Sequence, residues 1–185
     1  MADGILKVGQ IQTSSGSGTI TIGQSGETIT IPSGATVSGA GTNTPAFEAV
    51  KTGSSNQTFS TSYTKITFDS ESYDTNSNFA SNRFTPTIAG KYLLTYQIMF
   101  TPSGSNVEDG YSSIYKNGSE LANYAKDQHF GGSGATFQNG QDNTFSLSIV
   151  DTANGSSDYY EIYAYFSGTT IVKYAQFSGQ KLIGV

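Results

Sequence analysis

Beyond residue 45 the chain alternates apolar and polar side chains in short runs, the period-two pattern of strands that bury one face. The runs Ala46–Lys51, Tyr63–Phe68, Gly90–Thr101, Gly110–Lys116, Thr144–Val150, Tyr159–Phe166 and Gln176–Ile183 are predicted strands. Between them stand Asp109-Gly110, Asn117-Gly118, Asn139-Gly140 and Asn154-Gly155, residue pairs that tolerate the left-handed backbone of tight turns. No stretch shows helical periodicity. Many short strands with this punctuation predict an all-β sandwich or barrel.

Two of the strands carry large groups on both faces. Tyr92, Leu94, Tyr96 and Ile98 alternate with Leu93, Thr95, Gln97 and Met99, while Tyr160, Ile162, Ala164 and Phe166 alternate with Tyr159, Glu161, Tyr163 and Tyr165. Such a strand is usually buried twice, once in its own core and once against a neighbour. The tyrosine-rich second face therefore predicts a subunit interface.

Residues 1–44 follow a different rule. After Ile5, Leu6 and Val8 comes a tract of Gly, Ser and Thr in which Ser-Gly recurs at 17, 25 and 33, a spacing of eight. The alternating runs Thr19–Ile22, Thr28–Ile31 and the weaker Ala35–Ser38 lie among these pairs, so each unit reads as one short strand and one turn. The stripe formed by Ile20, Ile22, Ile29 and Ile31 is too slight for one chain to bury alone. We expect an extended β-rich arm or short stalk that orders by association, attached through these isoleucines, with a flexible linker as the plainer alternative. The head then occupies residues 45–185.

Composition narrows the class further. Ser, Thr and Gly number 26, 23 and 22 of 185 residues, a poor helical mixture, yet aromatics reach 12%, more than disordered chains carry. The formal charge of −5 excludes nucleic acid as the expected partner, because counterion release needs a field of Lys and Arg. Without cysteine there is no disulfide framework, thiolate metal site or cysteine nucleophile. The N-terminus does not read as a secretory leader and no apolar run is long enough for a membrane span, so the expectation is a soluble chain made in a cytoplasm, without membrane insertion.

Taken in chain order, YTKITFD (63–69), NRFTPTIAGKYLLTYQIMF (82–100), SSIYKNGSELA (112–122), TFSLSIV (144–150), DYYEIYAYF (158–166) and FSGQKLI (177–183) resemble the globular head of the complement first component. That head belongs to the tumour necrosis factor superfamily of trimeric jelly rolls. The most specific piece is Phe84-Thr85-Pro86 followed by Ala89-Gly90-Lys91-Tyr92; Tyr115-Lys116-Asn117-Gly118 and Phe177-Ser178-Gly179 are further matches. The resemblance implies a jelly-roll β-sandwich and a homotrimer. Its threefold contact is expected at Tyr92, Leu94, Tyr96, Ile98, Tyr159, Tyr163, Tyr165 and Phe177. The chain departs from the vertebrate pattern in lacking a collagen-like stalk, Cys and Trp, and in carrying a polar insertion at 123–143.

A short repetitive arm before such a head is similar to fibre and capsid-decorating proteins of tailed bacteriophages. It implies a non-enzymatic virion structural protein, a capsid decoration (cement) or tail fibre protein, held by its arm to a capsid or tail protein. The alternative is a receptor-binding or lectin-like module that recognises a host surface glycan or protein through apical loops. The insertion supplies a candidate ligand loop with Tyr124, His129, Phe130 and Phe137 among Gly, Ser, Asn and Gln, although these rings would equally plug the head.

Catalytic chemistry finds little support. His129 is the only histidine, no G-x-S-x-G elbow joins a strand to a helix, and no carboxylate pair lies on an evidently buried strand. No cofactor is expected. Calcium on Asp69, Glu71 and Asp74 is an alternative to solvated loop acids, although the strict calcium-loop pattern with its bidentate Glu is missing.

Overall fold

The computed structural model describes residues 11, 19–33, 35, 43–122, 126–130 and 136–183. The chain divides into two units, Met1–Ala40 and Gly41–Val185.

In the first unit the described residues form turns and no strand. Glu27 N donates to Gln24 O at 3.0 Å, and Ala35 N donates to Pro32 O at 3.1 Å, so the turn recurs after eight residues as the Ser-Gly spacing predicts. Gln24 N also donates to Glu27 Oε2 at 2.6 Å. Among the described residues the runs Thr19–Ile22 and Thr28–Ile31 form no strand within the single chain. Ile20, Ile22, Ile29 and Ile31 are 41–63% exposed, since a single apolar stripe has no second layer to pack on. Most of Ala35–Ser38 lies outside the described residues.

Twelve strands occupy the described part of the second unit. They are β1 (Ala46–Phe59), β2 (Thr64–Lys65), β3 (Ser70–Asp74), β4 (Phe79–Ala80), β5 (Arg83–Phe84) and β6 (Gly90–Pro102), followed by β7 (Asp109–Lys116), β8 (Ser119–Glu120), β9 (Lys126–Phe130), β10 (Asn143–Ala153), β11 (Tyr160–Phe166) and β12 (Thr170–Lys181). One sheet has the order β10-β6-β12-β1-β3; the other has β4-β5-β11-β7-β8, with β2 added to β11 and β9 to β7. All pairings are antiparallel. From β6 onward the long strands β6, β7, β10, β11 and β12 alternate between the sheets. The result is an all-β, jelly-roll-like sandwich.

Alternation places the core where the hydrophobic pattern requires it. Tyr92, Leu94, Tyr96, Ile98 and Phe100 of β6 face Ile162, Ala164 and Phe166 of β11, and all are fully buried. Phe47, Phe79, Phe84 and Phe177 close one end, with the Phe47 ring 4.3 Å from Phe84 and 4.9 Å from Phe177. Phe100, Phe137, Phe145 and Phe166 close the other, Phe100 lying 4.9 Å from Phe137 and 4.7 Å from Phe166.

Several expected boundaries move for identifiable reasons. The strand expected over Tyr63–Phe68 contracts to Thr64–Lys65, because side chains capture the following amides: Thr67 N donates to Gln57 Oε1 at 2.9 Å and Phe68 N to Asn82 Oδ1 at 2.7 Å. Asp109-Gly110 is no turn but the start of β7. A Cβ at Gly110 would stand 2.9 Å from the Phe166 ring and 3.1 Å from Phe137, so this glycine admits close ring packing. Asn117-Gly118 does form the expected hairpin, with φ of 54° and 80° joining β7 to β8.

Candidate binding surfaces

Each sheet leaves one face open, and the two faces differ in chemistry. On the five-stranded sheet the pairing aligns Glu48, Ser178, Thr95 and Ser148 in one row; Val50, Gln176, Gln97 and Ser146 in the next; and Thr52, Tyr174, Met99 and Thr144 beyond. Leu93 and Val150 flank the first row. Glu48 is the one charged side chain in these rows, and its Oε2 accepts from Gln176 Nε2. A shallow groove of about 280 Å³ runs over Val50, Lys51, Gln97, Met99, Tyr174 and Gln176.

The opposite face, on β11 and β7, is built of tyrosine. Tyr165 lies opposite Tyr111, Tyr163 opposite Ser113, and Glu161 opposite Tyr115, with Lys65 of β2 beside Tyr163. Ring centroids are 4.8 Å apart for Tyr111 and Tyr165, 4.3 Å for Tyr115 and Tyr163, and 5.0 Å and 5.5 Å from Tyr63 to Tyr111 and Tyr165. The Tyr63 and Tyr111 phenols share a hydrogen bond. Desolvation raises the phenols of Tyr63, Tyr111, Tyr115 and Tyr163, so these rings stay neutral at physiological pH.

Within this aromatic face sits an ion cluster. Glu161 is buried, and its Oε1 accepts from Lys65 Nζ at 3.1 Å and from Arg83 Nε at 3.0 Å. Arg83 also lies 3.7 Å over the Tyr159 ring, a cation–π contact. Further along, Lys126 of β9 pairs with Glu120 of β8 at 3.2 Å.

A second polar cluster braces the edge. Lys116 Nζ bonds Asp151 Oδ2 at 2.8 Å and lies 3.3 Å from Asp158, while Tyr160 donates to Asp151 at 2.6 Å. Burial alone would lower the Lys116 ammonium, but its bonds to both carboxylates outweigh that and hold it raised. Asp158 is lowered, chiefly by a hydrogen bond from Asn117.

The expected trimer-contact residues separate into two groups. Tyr92, Leu94, Tyr96, Ile98 and Phe177 are fully buried inside one chain, which corrects that part of the expected contact: they have no surface to offer a neighbour. Tyr159, Tyr163 and Tyr165 are half-buried on the tyrosine face. The expected ligand loop does not assemble as such among the described residues. His129 lies on β9 opposite Gly110, its ring 4.6 Å from Phe137, and Phe137 packs against Phe100 in the core. Phe130 ends β9, and Tyr124 lies outside the described residues.

The carboxylates expected to share a calcium ion are engaged separately. Asp69 accepts from Thr52 N at 3.0 Å and from Ser54 Oγ at 3.1 Å, and Asp74 accepts from Phe79 N at 2.7 Å. Among the described residues no three His, Cys, Asp or Glu side chains converge as a metal site, and no helix is long and apolar enough to cross a membrane.

No family model matches the chain, and no curated protein matches it. Among solved structures it is similar to PRD1 vertex protein P5, at 13% identity and a TM-score of 0.47 over 74% of this chain and 72% of that one. It is also similar to dimeric latent PorU from Porphyromonas gingivalis, at 10% identity and a TM-score of 0.32, spanning 73% of this chain and 11% of that one. Neither likeness is close enough to assign a role.

The tyrosine face escaped sequence reasoning in part. Tyr159, Tyr163 and Tyr165 show as an alternating stripe, and Tyr111 and Tyr115 show the same spacing. Their partners Lys65 and Arg83 come from two-residue strands and Tyr63 from the segment just before β2; the run Tyr63–Phe68 reads as a strand, but its pattern does not show that it joins this face.

Proposed function

We propose that the chain is a non-enzymatic structural protein of a bacteriophage particle. Its head forms a homotrimer of the complement-head kind through the open face of the five-stranded sheet, and its arm attaches to a capsid or tail protein. The observation that carries this reading is the character of that face. Leu93, Val150, Met99, Tyr174 and Val50 stand around Gln97 and Gln176 with a single carboxylate among the paired rows, and depletion of charge beside apolar anchors is the signature of an interface core. The arm adds the second support, since exposed isoleucines alternating with threonine suit strand addition to a partner.

Light scattering tests the assembly. The full chain is expected at about three times its 19.5 kDa mass, and Gln97→Arg, which places a charge mid-face on an exposed position, is expected to give folded monomer. A monomeric wild-type chain overturns the trimer. Antibody labelling of purified particles tests the location: label confined to soluble fractions overturns the virion reading.

A further inference from the structure

We infer that the tyrosine face of β11 and β7 binds an acidic glycan, its sugar rings lying on Tyr63, Tyr163 and Tyr165 and a sugar carboxylate meeting Arg83 and Lys65. This inference concerns the sheet opposite the proposed trimer contact and does not depend on that contact.

The first ground is the shape and chemistry of the face. Five tyrosines in ring contact form one continuous apolar surface, with Tyr111 and Tyr165 stacked on each other at 20° and Tyr63 exposed beside them, and each ring is edged by a phenol that both donates and accepts hydrogen bonds. Sugars present the complementary pair, an apolar C–H face and a rim of hydroxyls. From Tyr159 to Tyr165 the strand runs about 20 Å, room for several rings in a row. Tyr63 is 46% exposed and tilted by 57° and 40° to Tyr111 and Tyr165, so its ring stands out of line with theirs and offers surface to a ligand.

The second ground is charge. Lys65 and Arg83 converge on one oxygen of one carboxylate, leaving a local surplus of positive charge on a chain whose formal charge is −5. The Arg83 side chain remains 40% exposed although Nε and Nη2 both face Glu161, so part of its donor fork is open to solvent. Glu161 and the Tyr159 ring hold the guanidinium in place, which lowers the ordering cost of binding. Lys126 is balanced by Glu120, so the surplus is local to the Arg83 end. An anionic group carried by a sugar satisfies both the rings and the surplus.

The test is titration of the full chain with trigalacturonic acid and sialyllactose, each against its neutral counterpart, galactotriose and lactose. Tyrosine fluorescence gives a direct readout, because the chain has no tryptophan. At least one acidic probe is expected to bind saturably and about ten-fold tighter than its neutral counterpart, the worth of one charge-assisted contact. Arg83→Gln should abolish that preference, Arg83→Lys should retain part of it, and Tyr63→Ala should weaken acidic and neutral probes alike. Tyr63 lies outside the core and is 46% exposed, so its variant is expected to keep the fold even if an Arg83 variant loses stability. Absence of saturable binding by both acidic probes overturns the inference, as does equal affinity for acidic and neutral probes or binding insensitive to Tyr63→Ala.

Discussion

Burial of phenols sets how this protein responds to alkali. Desolvation pushes Tyr92 and Tyr96 up to about 12, and Tyr160, whose hydroxyl also donates to Asp151, is raised further. A phenol held above its unfolded value near 10 contributes stability that is whole below pH 10 and is lost as pH rises from there through the folded value. Each withheld tyrosine costs about 1.4 kcal/mol per pH unit over that window. We therefore expect cooperative unfolding above pH 10, with tyrosinate absorbance appearing in step with loss of the β-sheet signal; a gradual titration of folded protein would contradict it. On the acid side Asp158 is lowered, so its contribution is present above the ordinary carboxylate value and lost as pH falls through the folded one. Backbone geometry gives a second residue-scale expectation. Gly155 and Gly140 have φ of 73° and 77°, but a Cβ at Gly155 would stand 2.2 Å from Ala89 N, whereas Gly140 has nothing within 4 Å. Urea denaturation should show Gly140→Ala costing about 1 kcal/mol and Gly155→Ala costing clearly more, about 3 kcal/mol, because the second change adds a collision to a shared backbone strain.

At the scale of the element, β11 shows how one strand serves two environments. Its inward positions Tyr160, Ile162, Ala164 and Phe166 fill the core, and its outward positions hold the tyrosine face with Glu161 buried among rings. Loss of that carboxylate in Glu161→Gln should destabilise by about 1–2 kcal/mol in thermal or urea melts. That is less than a fully buried pair costs, because Lys65 and Arg83 both reach solvent and can rehydrate. The long strands were legible from the chain because period-two alternation survives in β6, β10 and β11. Two of the short ones were not: Phe79–Ala80 and Arg83–Phe84 are too brief to show a period and are fixed by tertiary pairing, while Thr64–Lys65 remains as a fragment of the longer strand its run predicts. The expected interface was half misplaced for a related reason. Periodicity separates the two faces of β6 but does not say which one turns inward, and the larger face, with Tyr92 and Tyr96, became core. The polar insertion looked like a loop because β9 lies at a sheet edge with a mixed face, its Asp127 serving Ser146 N at 2.9 Å.

For the molecule as a whole, the order of strands matters more than their number. β12, the last strand in the chain, lies in the middle of the five-stranded sheet, between β1 and β6. Its register with β1 joins Ala46 to Gln180, and nearly every long pairing in this sheet spans a large loop. Contacts so distant in sequence pay their closure entropy before they return stability, so folding should be slow for a domain of this size, which stopped-flow refolding would measure. A chain ended at Ser167 should be insoluble on expression, since β1 and β6 would present unpaired edges and Phe47, Leu94 and Tyr96 would lose the strand that completes their cover. The keystone strand is thus also the last strand of the head in chain order, and the five-stranded sheet can close only once β12 is available. Until β12 is in place the sheet stays divided, and every incomplete form of the head is marked by the same two open seams.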